Sequence, residues 1–284
     1  MRNKVMFVGV NDEMPGLRSV LANDAHTRMA QTPTATTIGK PTDDGVVAHA
    51  PTIKSTGIAV LDRNLEGGLP AGSVVYMSVD SKSMSEVFLY QFTQARKTYY
   101  VATGRRPRYV AWDVQNMGYD ISDISFIDVY SEYYITAQGD LVDNVGNEYV
   151  DKQITEFMID TLRNIQIEEE LGDINIIIDT VSFFLGLNVN TGEIKKLMNV
   201  IYETTKETNG LTYLYGLKET HSPSLENEVI NSCDAVFDVE LHRGSDEVMS
   251  RLTIPKIRGR TPVTDLLKFR IGDGIQIDTS TDIA

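Results

Sequence analysis

The apolar residues of this chain fall into short compact runs, separated by longer stretches in which they recur every three or four positions. Residues 73–79 (SVVYMSV), 98–103 (TYYVAT), 124–129 (ISFIDV), 174–179 (INIIID) and 211–217 (LTYLYGL) read as strands. Between them, Met84, Val87, Phe88, Phe92 and Ala95 mark one helical face, and Ile154, Phe157, Met158, Leu162 and Ile165 a second. Ile194, Leu197, Met198 and Ile201 mark a third, with Asn190 and Glu193 as its capping pair and Gly210 as its stop. Pro107 opens and Gly118 closes another helix. Strands alternating with helices predict an α/β fold with a mostly parallel sheet. The nearly unbroken apolar run 174–179 is that of a strand covered on both faces. Beyond residue 217 the pattern changes to turn-separated runs at 234–241, 250–257, 266–271 and 274–277, which predict antiparallel strands appended to the parallel core.

The N-terminal part is different. Residues 1–11 allow one short strand, and residues 23–51 are rich in Thr, Ala, Asp, Gly and Pro without periodicity, the composition of a mobile or draped segment. The expected division is an extension over 1–54 and one core domain over 55–284. Hydrophobic content of 42% and charged content of 23% are those of a globular protein. No apolar run reaches membrane-spanning length, the N-terminus lacks a signal-peptide pattern, and Cys233 is the single cysteine, so the expected location is a reducing cytoplasm, away from membranes. The net charge of −14 repels phosphate backbones and argues against general nucleic-acid binding.

Four segments add a resemblance. Residues 55–79 (STGIAVLDRNLEGGLPAGSVVYMSV) run through Thr-Gly-Ile and Leu-Asp to a Gly-Gly-Leu-Pro-x-Gly turn before the first core strand. Residues 174–182 (INIIIDTVS) end an apolar run in Asp-Thr-x-Ser, residues 231–260 carry Asp-x-Val and Lys-x-Arg-Gly, and residues 269–277 read FRIGDGIQI. In this order they resemble the RecA-like ATPases of the KaiC and archaeal RadA-like group, which implies a RecA-like P-loop fold and places a phosphate-binding loop after residue 79.

A phosphate-binding loop needs glycines that free its backbone N–H groups, a lysine, and a hydroxyl residue for Mg²⁺. The segment that stands there is Val79, Asp80, Ser81, Lys82, Ser83, Met84, Ser85, Glu86. Set against the motif, Val79 and Met84 take the glycine positions, Ser85 the lysine position and Glu86 the hydroxyl position. Non-glycine residues resist positive φ, the cation is lost, and Glu86 repels a triphosphate. The resemblance also implies a catalytic glutamate beyond the second core strand, where GRRPR (104–108) stands with no acid before Asp113. Asp179 matches the Walker B aspartate; it reads equally as a relict metal ligand or as a cap on the following turn. No catalytic residue and no resident metal site are therefore expected, and ATP with Mg²⁺ enters only if Lys82, Glu86 and Asp179 form an unorthodox site. Lys82 otherwise reads as an exposed loop residue.

Lys256 and Arg258 match the family's Lys-x-Arg pair, which implies a role at a subunit interface; alternating exposure on an edge strand is the plainer reading. Arg105, Arg106 and Arg108 form the most basic cluster, with Tyr109 and Trp112 nearby, and suit a phosphate, an acidic partner or a single strand. The plainer reading is a solvated turn with Trp112 packed inside. Residues 130–136 (YSEYYIT) read as an interaction loop or a strand extension, and the four histidines (His26, His49, His221, His242) show no metal-ligand spacing. Together these readings predict a non-catalytic RecA/KaiC-like protein that acts through protein partners, in regulation, signal transduction or recombination-related assembly. A homo-oligomer or a paralogous RecA/KaiC-like subunit is the expected partner. The alternatives are an ATPase with an unorthodox P-loop and a DNA-binding recombination or repair accessory.

Overall fold

The computed structural model describes residues 52–169, 172–243, 248–272 and 274–278. The strand and polar segment expected within 1–51 lie outside them. β1 (Ile53–Lys54) and β2 (Leu69–Pro70) form a small antiparallel pair around helix α1 (Ala59–Asn64), which brings Ile53 and Lys54 into the packed unit. The chain then alternates β3 (Ser73–Val79), α2 (Glu86–Phe92), β4 (Thr98–Ala102), α3 (Pro107–Asn116), β5 (Ile124–Asp128), α4 (Val129–Tyr134), α5 (Glu148–Glu168) and β6 (Asn175–Asp179). It continues through α6 (Val181–Leu185), α7 (Thr191–Glu207), β7 (Leu211–Leu217) and α8 (Pro223–Ser232) to β8 (Ala235–Arg243), β9 (Val248–Ile257), β10 (Val263–Gly272) and β11 (Gly274–Asp278).

The main sheet runs β11-β10-β9-β8-β3-β7-β6-β4-β5. β8 through β5 are mutually parallel, and β9, β10 and β11 add antiparallel pairings. β8 was expected among the antiparallel strands. It is parallel to β3 because α8, not foreseen, provides the crossover. The start of α8 carried a signal: Ser222 accepts from Leu225 N at 3.3 Å and Pro223 occupies the first turn.

Strand alternation sends side chains to two cores. Val75, Met77, Val79, Tyr100 and Ala102 join α1, α2, α3 and the antiparallel strands on one face. Val74, Tyr76, Tyr99 and Val101 join α4, α5, α7 and α8 on the other. Each fully buried Leu, Ile or Phe contributes about 1.5–3 kcal/mol by burial, which makes this two-faced sheet a rigid platform for its rim.

Other expectations need correction. The helical face counted from Met84 begins later, at Glu86, and Met84 is exposed. The aromatic part of 130–136 is neither loop nor strand extension: 129–134 form α4, started by the Asp128 carboxylate, which accepts from Ser131 N at 2.8 Å, and only Ile135 and Thr136 lie in the loop that follows. Asn209, at φ 54°, and not Gly210, takes the left-handed position after α7. The Asn190 cap stands as read, accepting from Glu193 N at 3.1 Å.

Candidate functional site

The parallel strands β3, β4, β6 and β7 end together at one rim, the usual place for a site in an open α/β sheet. A cavity of about 180 Å³ opens there, lined by Glu86, Ala102, Gly104, Arg105, Val110, Asp179 and Tyr215. Strand register places Ala102 opposite Asp179, and Asp179 opposite Tyr215. Glu86 enters from the first turn of α2, and Arg105 from the turn before α3.

These groups are bonded to one another. Tyr100 Oη donates to Asp179 Oδ2 at 2.7 Å. Arg105 donates to Tyr90 Oη at 2.6 Å and pairs with the Asp113 carboxylate. Tyr215 Oη lies 3.5 Å from Glu86 Oε2, at the outer limit of a hydrogen bond. Burial, together with the charges of Glu86 and Asp179, pushes the Tyr215 phenol far above its ordinary value, and Tyr90 and Tyr100 shift the same way mainly by burial. All three therefore keep their protons. The cavity and its immediate network hold three carboxylates, Glu86, Asp113 and Asp179, against one guanidinium.

Burial raises the pKa of Asp179, and the like charge of Glu86 adds to that; the Tyr100 hydroxyl and Arg105 act in the opposite sense. A raised folded pKa means that the folded state holds the proton more tightly than the unfolded chain does. The resulting stability is lost as pH climbs from the ordinary carboxylate value through the folded pKa, so the penalty is complete on the neutral side. Asp179→Asn keeps an acceptor for Tyr100 and removes the penalty. Melting at several pH values should show a higher midpoint at pH 7, and the gain should vanish below about pH 4. A loss at pH 7 would refute this electrostatic reading.

The loop before α2 is bonded to β8 and within itself. Asp80 N donates to Val239 O at 3.1 Å and Ser83 N to Asp80 O at 2.9 Å, while the Asp80 carboxylate accepts from Lys82 N at 2.9 Å. Ser83 Oγ donates to Asp80 O at 2.6 Å and also contacts Ser85 Oγ; both serines are buried. These bonds hold residues 80–85 as a turn and delay the helix to Glu86. Met84 adopts φ 50°, so a left-handed backbone is present at one position where a non-glycine residue was expected to resist it. Lys82 is exposed, as expected, and Val79 ends β3 with its side chain buried.

The remaining candidates part company. Arg105 turns into the cavity, Arg106 is half-buried, and Arg108 is exposed and stacks on Tyr109 at 4.8 Å, so the three arginines do not form one patch. Trp112 was expected inside and is 62% exposed, because Val110, Ala111 and Val114 fill the buried face of α3. Asp179 caps no turn: the Thr180 side chain does so, accepting from Phe183 N at 3.2 Å. Lys256 lies on β9 and Arg258 directly after it; β9 is paired on both sides and is not an edge. Lys256 Nζ donates to Ile230 O at 2.7 Å, and Arg258 donates to Asn231 O at 3.0 Å and pairs with Asp234 at 3.3 Å. Within the single chain both cations neutralise the carbonyl end of α8.

Tyr90, Tyr100 and Tyr215 are the site residues that sequence reasoning missed. Each sits within an apolar run, and its signal was a polar tip placed near the C-terminal end of a strand or its covering helix. Among the described residues, no cluster of His, Cys, Asp and Glu is arranged to hold a metal ion, and no helix is long and apolar enough to cross a membrane.

Solved structures share this architecture. A KaiC-like protein from the hyperthermophilic archaeon Pyrococcus horikoshii aligns over 81% of this chain and 100% of its own, with TM-score 0.61 and 17% identity. The flagellar accessory protein FlaH from Methanocaldococcus jannaschii aligns over 80% and 98%, with TM-score 0.61 and 17% identity. The fold is RecA-like. No curated protein sequence matches significantly. A family model described as a family of unknown function (DUF7125) matches residues 53–284.

Proposed function

We propose that this chain, which belongs to the DUF7125 family, is a non-catalytic RecA/KaiC-like protein that acts by binding protein partners. The roles in view are regulation, signal transduction or recombination-related assembly, with a second copy or a paralogous RecA/KaiC-like subunit as the nearest partner. The observation that carries this reading is the self-satisfied rim. Arg105, the cation lining the cavity, is engaged by Asp113 and Tyr90, and Asp179 is engaged by Tyr100. The loop N–H groups of Asp80, Lys82 and Ser83 are used within the chain. A triphosphate with Mg²⁺ does not fit such a site. It would have to displace the Asp80 carboxylate from Lys82 N and enter beside Glu86, a repulsion of about 1 kcal/mol per charge pair at 4 Å in water and about 4 at a protein surface. One structural relative is a flagellar accessory protein, and an accessory role is compatible with partner binding here.

A second reading has one observation in its favour: Glu86 and Asp179 line the same cavity, as carboxylates holding Mg²⁺ for ATP would. Thermal melting separates the two. At about 1 mM Mg·ATP a micromolar site adds about 4 kcal/mol, which at about 2–4 °C per kcal/mol raises the midpoint by about 8–16 °C. The expected shift is below about 1 °C, within what weak non-specific binding gives. A shift of the larger size that is lost in Glu86→Ala would replace this proposal with the unorthodox ATPase. The nucleic-acid reading loses support from the inward turn of Arg105, which leaves Arg106 and Arg108 alone on that surface.

A further inference from the structure

Helix α4 and the first half of α5 leave a groove of about 360 Å³ between them. Tyr133, Val150, Ile154 and Phe157 line it with apolar groups, and Glu132 and Glu156 line it with exposed charges. The groove is preformed. Tyr133 Oη donates to the buried Asp151 carboxylate and accepts from Gly146 N at 2.9 Å, and Val142 N donates to Tyr134 O at 2.9 Å. Little ordering is left for an occupant to impose.

The stretch that builds this groove is strongly acidic. Over 132–160, Glu132, Asp140, Asp143, Glu148, Glu156 and Asp160 are exposed, and Lys152 is the single cation, 4.0 Å from Glu156. Such a surface suits an apolar segment that carries positive charge and no acid. Residues 2–10 (RNKVMFVGV) have that composition: Arg2 and Lys4, then Val5, Met6, Phe7, Val8 and Val10, with the first acid at Asp12. A second basic apolar stretch, 254–260, is already built into β9 and the turn after it.

We infer that residues 2–10 dock into the α4–α5 groove of the same chain, their apolar side chains over Ile154 and Phe157 and their cations against Glu132 and Glu156. The reach is sufficient. Lys54 pairs with Asp173 at 2.9 Å, just beyond the end of α5, and the groove lies along the first half of that helix, about 20 Å away at about 1.5 Å per residue. A flexible linker over 11–51 spans about 35 Å on average. The tether holds the segment at an effective concentration on the order of 1 mM, so a weak intrinsic contact is enough to fill the groove. A partner segment of the same chemistry must then displace residues 2–10 to reach this face. The inference concerns the α4–α5 face and stands whether or not the rim cavity takes a nucleotide.

The test traps the contact in the full chain. Phe7→Cys with Gln153→Cys puts one thiol on the segment and one in the groove, and Cys233 is buried. With oxidised glutathione and dilute protein, the expected product is a monomer whose peptides carrying positions 7 and 153 are linked. Phe7→Cys with Gln115→Cys is the matched control: Gln115 is exposed on α3, on the opposite face of the sheet, and should link about tenfold more slowly. Arg2→Glu with Lys4→Glu should slow the 7–153 link by about tenfold. Adding Glu132→Lys and Glu156→Lys to that variant should restore it, an outcome that damage to the fold cannot imitate. Equal linking at 153 and 115, linking only between two copies, or a rate indifferent to the charge reversals would each overturn the proposal.

Discussion

Replacing Asp151 with alanine should lower stability by about 3 kcal/mol, the scale for removing one member of a buried charged hydrogen-bond network. Asp151 is 1% exposed, near the start of α5. One carboxylate oxygen accepts from Tyr133 Oη and the other from Asn188 N at 2.6 Å. It therefore joins three parts of the chain: α4, the first turn of α5, and the turn after α6. Without it, a buried phenol and a backbone N–H lose their acceptor. For a folded unit of this size the midpoint should fall by about 6–12 °C. Asp151→Asn keeps one acceptor but turns an NH₂ group toward the other donor, and should lose an intermediate amount. Urea denaturation with an unchanged slope would confirm that the folded state, and not the compactness of the unfolded chain, is affected. Equal stability of the alanine variant would show that the network contributes nothing to holding these three parts together.

Gly68→Ala should have a comparable effect for a different reason. Gly68 has φ 131°, and an added Cβ would stand 2.0 Å from Lys54 O, where β1 crosses β2. Neither atom can move without breaking the pair. Its carbonyl also accepts from Arg260 Nη1 at 2.9 Å, and Arg260 Nη2 reaches Leu65 O at 2.8 Å. The Gly-Gly-Leu-Pro turn and the Lys-x-Arg-Gly-Arg segment at the end of β9, far apart in sequence, therefore meet at this point. Strain and steric overlap together should cost about 3 kcal/mol, or about 6–12 °C in the midpoint. Gly118→Ala is the matched control, with φ 80° but nothing near the new Cβ; it should cost only about 1–2 kcal/mol. Equal losses at the two positions would show that backbone conformation, and not the contact with Lys54, limits residue 68.

The fold was largely legible because its signals are local. Apolar runs bounded by turn residues marked β3 to β7, and helical spacing with the Asn190 and Pro107 starts marked α2, α3, α5 and α7, while the short helices α4 and α6 went unread. Positions 53–54 and α8 were missed because two-residue strands and a polar helix carry little periodicity. The loop after β3 was correctly read as lacking glycines and lysine, yet the backbone bend at Met84 could not be foreseen: the bonds that stabilise it come from Asp80, Ser83 and Ser85 acting together. The rim was the least legible part. Tyr100 and Tyr215 look like strand residues until pairing sets them beside Asp179, and Arg105 looks like one of three surface arginines until Asp113, in the second turn of α3, draws it inward.

The same inward turn gives the rim its character. In a working phosphate site the positive charge is held open for the ligand; here it is already matched by Asp113, with Glu86 and Asp179 adding negative charge. Release of the γ-phosphate from about 1 mM Mg·ATP, the upper end of ordinary KM values, tests this directly when the unaltered chain is assayed beside Glu86→Ala and Asp179→Ala. A rim without an open cation should give background release, the same in all three proteins. Turnover by the unaltered chain that both substitutions abolish would contradict it.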